Sequence, residues 1–103
     1  MLKIRFERFD WDVGNHGKCQ AHGVSIAEIE SALLLDDMLV VHDAKHSQDE
    51  RRYIAAGPTT AGRYLFVAFT LRTVGGWMAL RPITARYMHL NEAERYEQAR
   101  TKL

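Results

Sequence analysis

Apolar and charged residues alternate through Leu2-Lys3-Ile4-Arg5-Phe6-Glu7-Arg8-Phe9, a period of two that predicts a short half-buried strand. Asp10 or Asp12 is placed to cap the next element. Between Val13 and His22 a helix is weak by propensity, because Gly14 and Gly17 lie within it. Gly23 reads as a helix stop in the left-handed conformation. Ser25, three residues before Glu28, forms a capping box for a better helix. Its apolar stripe is Ile26, Ile29, Leu33 and Ala32, and Asp36-Asp37 ends it.

Beyond that helix the chain reads as extended. Met38 to His42 is apolar and β-branched, and Asp43 to Glu50 is a polar loop. Arg51 to Ala56 alternates, with Arg52, Ile54 and Ala56 on one side. Gly57 to Gly62 is a turn. Arg63 to Leu71 is apolar on both faces, as a central strand is. Gly75-Gly76 turns the chain into a last strand, Trp77 to Thr84. Pro82 cannot donate to a ladder, which predicts an edge position or a bulge there. Asn91 with Glu94 starts a final helix over about 92–102, with Ala93, Tyr96 and Ala99 inward. The order predicts an α+β fold: a single antiparallel β-sheet with two N-terminal helices and one C-terminal helix packed against it.

Composition narrows the class. The chain has 103 residues, 47% of them apolar and 26% charged, enough for one domain and unlike a disordered chain. The longest apolar run, Tyr64 to Phe69, is far short of the roughly 20 residues of a membrane span. No signal-like segment opens the sequence, and Cys19 is the lone cysteine, so the expected location is the cytoplasm.

Charge adds a functional clue. Residues 1–50 carry five Lys+Arg against ten Asp+Glu, while 51–103 carry nine against three. Within 51–91 the cations are Arg51, Arg52, Arg63, Arg72, Arg81 and Arg86, with no lysine and no acid. The guanidinium fork fits phosphate in a bidentate way, so an acid-free arginine stretch predicts an anion-facing surface. The competing expectation is that these arginines pair with the acids of the first half. Cys19-x2-His22 and His42-x3-His46 have zinc-like spacing, but two mixed pairs make a poor four-ligand set, and no metal site or other cofactor is expected.

Several motifs occur in a family-like order. Phe9-Asp10-Trp11-Asp12 precedes His22-Gly23-Val24-Ser25, with Glu28 and Glu30 beyond. His46-Ser47 precedes Asp49-Glu50-Arg51. Gly57, Gly62-Arg63, Phe69-Thr70 with Arg72, and Arg81-Pro82-Ile83-Thr84-Ala85-Arg86 complete the set. Together, from about residue 6 to 97, they resemble the BrnT family, the toxin half of BrnT/BrnA toxin–antitoxin pairs. Ala21 and Thr84 stand where many members carry lysine and serine. The resemblance implies one toxin domain over 1–103 with a RelE-like fold. It also implies a ribonuclease that blocks translation, a BrnA-like antitoxin as partner, and operator DNA bound only by the toxin–antitoxin complex. The alternative is a non-catalytic protein of the same fold that binds nucleic acid or its partner.

A metal-free ribonuclease uses the RNA's own 2′-OH as nucleophile, and needs a base, an acid and cations on the phosphate. The catalytic candidates are Arg86, Arg81, His89 and Glu50. Those for RNA binding are Arg52, Arg63, Arg72 and Tyr87. Arg81 and Arg86, five residues apart, point to opposite faces of a regular strand. A bulge at Pro82, or the chain leaving the sheet before Arg86, could bring them together. Arg86, at the end of the last strand, is expected to reach solvent and to be dispensable for stability. Trp11, Tyr64 and Trp77 are further stacking candidates, with Trp11 more often core, and His22 is a weaker acid–base candidate.

Overall fold

A computed structural model describes residues 3–101 of the chain. The elements run β1 (Arg8–Phe9), α1 (His16–Cys19), α2 (Ile26–Leu33), β2 (Leu39–His42), a 3₁₀ turn (Ala44–His46), β3 (Arg52–Pro58), β4 (Tyr64–Val74), β5 (Trp77–Tyr87) and α3 (Leu90–Arg100). The strands form one sheet in the order β1-β5-β4-β3-β2. This is the α+β class, but the sheet is mixed. β2 to β5 are an antiparallel meander, whereas β1 lies parallel to β5 through Arg8↔Ala79 and Phe9↔Leu80. The alternation over Leu2 to Phe9 predicts a longer strand than forms: among the described residues, which exclude Leu2, the strand is Arg8–Phe9, and the alternation does not say which neighbour it will find. The chain crosses to the far edge and meanders back, so β5 arrives running the same way as β1.

Ser25 Oγ accepts from the Glu28 N–H at 3.1 Å and starts α2, and Gly23 before it has φ +87°. The reciprocal half of the expected capping box is replaced, because the Glu28 carboxylate accepts from the Tyr87 hydroxyl. α2 buries Ile29 and Ala32 against one face of the sheet, where Leu65, Val67 and Phe69 of β4 meet Leu80 and Ala85 of β5. Cys19 and Val24 complete that core.

α3 begins earlier than expected, at Leu90. Glu92, not Glu94, accepts from a terminal backbone amide, the N–H of His89, at 2.9 Å. Tyr96 is buried, Ala93 is half-buried and Ala99 is exposed. Tyr64 of β4 meets the Tyr96 ring at 5.8 Å and donates to Glu97, so α3 sits against the opposite face, at its Pro58/Tyr64 end. Gly57 permits this approach: a Cβ there would lie 2.9 Å from Met38 Sδ and 3.1 Å from Tyr96 Oη.

β4 and β5 run longer than their apolar cores predict. The Gly75-Gly76 turn, with φ +58° and +82°, joins them in register at Val74↔Trp77. The expected irregularity at Pro82 is present as a bulge. Phe69 opposes Pro82 and Ala68 opposes Thr84, leaving Ile83 as the extra residue.

Candidate nucleic-acid interface

The bulge decides where the arginines point. Without it Arg81 and Arg86 would face opposite sides; the additional residue turns both onto the face away from α2. Register places Arg52 opposite Thr70, and Thr70 opposite Arg81, one rung across three strands. Arg72 lies two residues beyond Thr70 on the same face. Arg86 opposes Phe66, four residues along β4 from Thr70, or about 13 Å at strand rise.

Arg52, Arg72 and Arg81 therefore converge at one end of this face, together with Glu50 from the preceding loop. Two adjoining hollows of about 340 and 210 Å³ lie here, both lined by Glu50, Arg52 and Thr70. Lys18, Arg72 and Arg81 line the smaller one. A larger hollow of about 450 Å³ near the end of α2 is lined mainly by apolar groups such as Ile4, Phe6, Leu35 and Met38. It offers no convergent set of groups for phosphate chemistry.

Two of the three arginines are held by carboxylates. Arg72 Nε and Nη2 donate to Glu50 at 2.9 and 3.1 Å. The guanidinium holds the Glu50 carboxyl below its ordinary value, and burial opposes this. Arg81 donates to Asp12 at 3.0 and 2.8 Å and lies 3.4 Å from Asp10. The Asp12 carboxyl is likewise lowered, first by Arg81 and then by the Gly14 N–H. Arg52 makes no ion pair among the described residues. Arg52, Arg72, Arg81 and Arg86 share a face, while Arg72 and Arg81 pair with acids of the first half, as the competing expectation has it.

Asn15 fixes the acidic side of the cleft, a role with little signal in the sequence. The residue is 3% exposed and stands just before α1. Its Nδ2 donates to the carbonyls of Asp10 and Pro82 at 2.9 and 2.8 Å, and its Oδ1 accepts from the Asp12 N–H at 2.8 Å. It locks the Asp10–Asp12 segment to the bulge. The signal in the sequence is an asparagine beside Gly14 ahead of a poor helix, and it names no distant partner.

The other predicted residues lie outside the cleft. Arg86 does not end free in solvent. It grips Glu92 through two bonds of 2.9 Å, donates to the Tyr87 carbonyl at 3.2 Å, and lies over the Phe66 ring. Its chemistry clasps the start of α3 and pushes the Glu92 carboxyl down to about 2. The expectation that Arg86 is dispensable for stability is revised on this geometry. His89 is exposed at that helix start. Tyr87 and Arg63 belong to the α2 side: Arg63 lies 3.4 Å over the Tyr87 ring, whose hydroxyl is engaged by Glu28. Trp11 donates to Glu30 at 2.9 Å, and Trp77 stacks under Arg8. Cys19 is buried in the core, which pushes its thiol up, while His22 and His42 are exposed. Among the described residues no three His, Cys, Asp or Glu side chains converge on a metal position.

A mixed sheet with a rung of arginines and a carboxylate lining a cleft on one face defines the class, a small α+β protein. Comparison with protein families is more specific. Residues 11–92 match the family described as the ribonuclease toxin, BrnT, of type II toxin–antitoxin systems, and the chain belongs to that family. Membership implies an RNA target and an antitoxin partner. A search of curated proteins gives no match. No helix among the described residues is long and apolar enough to cross a membrane.

Proposed function

We propose that the protein is a metal-independent endoribonuclease whose active site is the Arg52–Arg72–Arg81 cleft, with Glu50 as base. The observation that supports it most is the Arg52–Thr70–Arg81 rung with the Arg72–Glu50 pair beside it, in a chain of a ribonuclease family. Arg81, fixed by Asp10 and Asp12, is a preorganised donor for charge developing on the phosphate. Arg72 keeps Glu50 ionised. When a phosphate draws Arg72 away, Glu50 loses its strongest partner and becomes a better proton acceptor. It takes the 2′-OH proton as the 2′-oxygen bonds to phosphorus. The bond to the 5′-oxygen breaks, that oxygen takes a proton from water, and a 2′,3′-cyclic phosphate remains.

On this reading the fold is RelE-like, the protein acts in the cytoplasm, its cleavage of RNA inhibits translation, and a BrnA-like antitoxin neutralises it. Operator DNA is bound only by the pair. The carboxylates on Arg72 and Arg81 favour one other reading, a non-catalytic protein binding RNA or its partner through the same face.

The test is cleavage of single-stranded RNA by purified protein in excess EDTA, with cyclic-phosphate ends as product. Glu50→Gln should lower kcat by about 100-fold or more while RNA still binds. Binding without cleavage selects the non-catalytic reading. Cleavage abolished by EDTA, or undiminished in Glu50→Gln, refutes the mechanism.

A further inference from the structure

One buried side-chain polar atom among the described residues has no hydrogen-bond partner, the hydroxyl of Thr70. Thr70 is 2% exposed, yet it lines both hollows of the cleft and is the centre of the arginine rung. An orphaned buried hydroxyl is destabilising, and valine would fill the same shape without that penalty. The hydroxyl lies near enough to Glu50 to add slightly to the lowering of that carboxyl, although it makes no hydrogen bond to it.

Arg52, directly across β3–β4 from Thr70, has no carboxylate partner among the described residues. Side chains so opposed have Cβ atoms about 4.5–5.5 Å apart. Facing each other across β3 and β4, the hydroxyl and the guanidinium are thus two uncommitted donors side by side. What they lack is an anionic oxygen acceptor, and a tetrahedral phosphate presents two unbridged oxygens to two such donors. The neighbouring Arg72 and Glu50 side chains are 44% and 40% exposed, so both can swing aside to admit it.

We propose that Thr70 and Arg52 form a phosphate subsite of the cleft, with Thr70 Oγ1 donating to one non-bridging oxygen and Arg52 to the other. Thr70 is then a substrate-binding residue. The identification of this phosphate as one of RNA rests on the ribonuclease reading; the subsite itself does not.

The experiment compares Thr70→Val, Thr70→Ser and Arg52→Ala with the parent. It measures melting temperature, the Kd for inorganic phosphate against a chloride control at equal ionic strength, and kcat/KM on single-stranded RNA. Thr70→Val should melt at or above the parent, bind phosphate at least fivefold more weakly, and lose at least about tenfold in kcat/KM, as expected for a hydrogen bond to a charged group. Thr70→Ser should stay within about threefold of the parent in both. If valine disturbs the fold, Arg52→Ala reads the same phosphate Kd through the partner donor. Thr70→Val, or in that case Arg52→Ala, binding phosphate like the parent overturns the subsite, as does equal competition by chloride. Should the parent bind phosphate through Thr70 yet cleave no RNA, the ribonuclease reading fails and the subsite stands. RNA cleaved equally by parent and Thr70→Val leaves that reading intact and removes the subsite.

Discussion

Replacing Asn15 by alanine should unfold the acidic wall of the cleft at a predictable energetic cost. The side chain is 3% exposed and makes three hydrogen bonds, all to backbone groups. Each is worth about 1 kcal/mol net, so the loss is about 3 kcal/mol. No capping term is added, because the Asn15 side chain caps no amide of α1. For a domain of this size, that loss lowers Tm by roughly 12–24 °C. Asn15→Asp is the informative companion. It keeps an acceptor for the Asp12 N–H but loses both donors and turns a carboxylate toward two carbonyls. Burial there raises the aspartate's folded pKa above its unfolded value near 4, so the protonated form is favoured. The added penalty is absent below the unfolded pKa and grows as pH rises. Thermal melts recorded by circular dichroism, with urea titrations to check that the slope is unchanged, give both quantities. Asn15→Ala within about 1 kcal/mol of the parent would mean that water replaces the amide, and the account of the wall would be wrong.

Arg86→Ala should melt below the parent at neutral pH, because it releases Glu92 at the start of α3. The Glu92 carboxyl is held at about 2 in the fold against an ordinary 4.5, a depressed acid. Its contribution is present above pH 4.5 and lost as pH falls toward 2, so the Tm gap between parent and variant should close across that range. A gap independent of pH would remove the ion pair as its source. Arg52→Ala should leave Tm unchanged or slightly raised, weaken RNA binding, and flatten the plot of log K against log salt by about 0.7 per lost phosphate contact. An unchanged slope would show that Arg52 does not meet the backbone.

The sequence by itself determined what short-range geometry controls. Ser25 caps α2, Gly23 supplies a positive φ ahead of it, and Gly75-Gly76 makes the tight turn that joins β4 to β5. Local dihedral preferences settle these. The proline bulge and the apolar run of β4 were legible for the same reason, and so was the family, since its motifs lie in order along the chain. Contacts between distant segments were not. Arg81 meets Asp12 across 69 residues and Arg72 meets Glu50 across 22, and nothing local to either arginine names its partner. The parallel neighbour of β1 depends on where three later turns deliver β5. Arg86 looked like a free anion ligand because its grip on Glu92 forms only once α3 folds back on β5. Thr70 looked like any threonine in a strand. Only the register of β3, β4 and β5 sets its hydroxyl between two arginines, because a pleated sheet brings residues together by alignment and not by sequence distance.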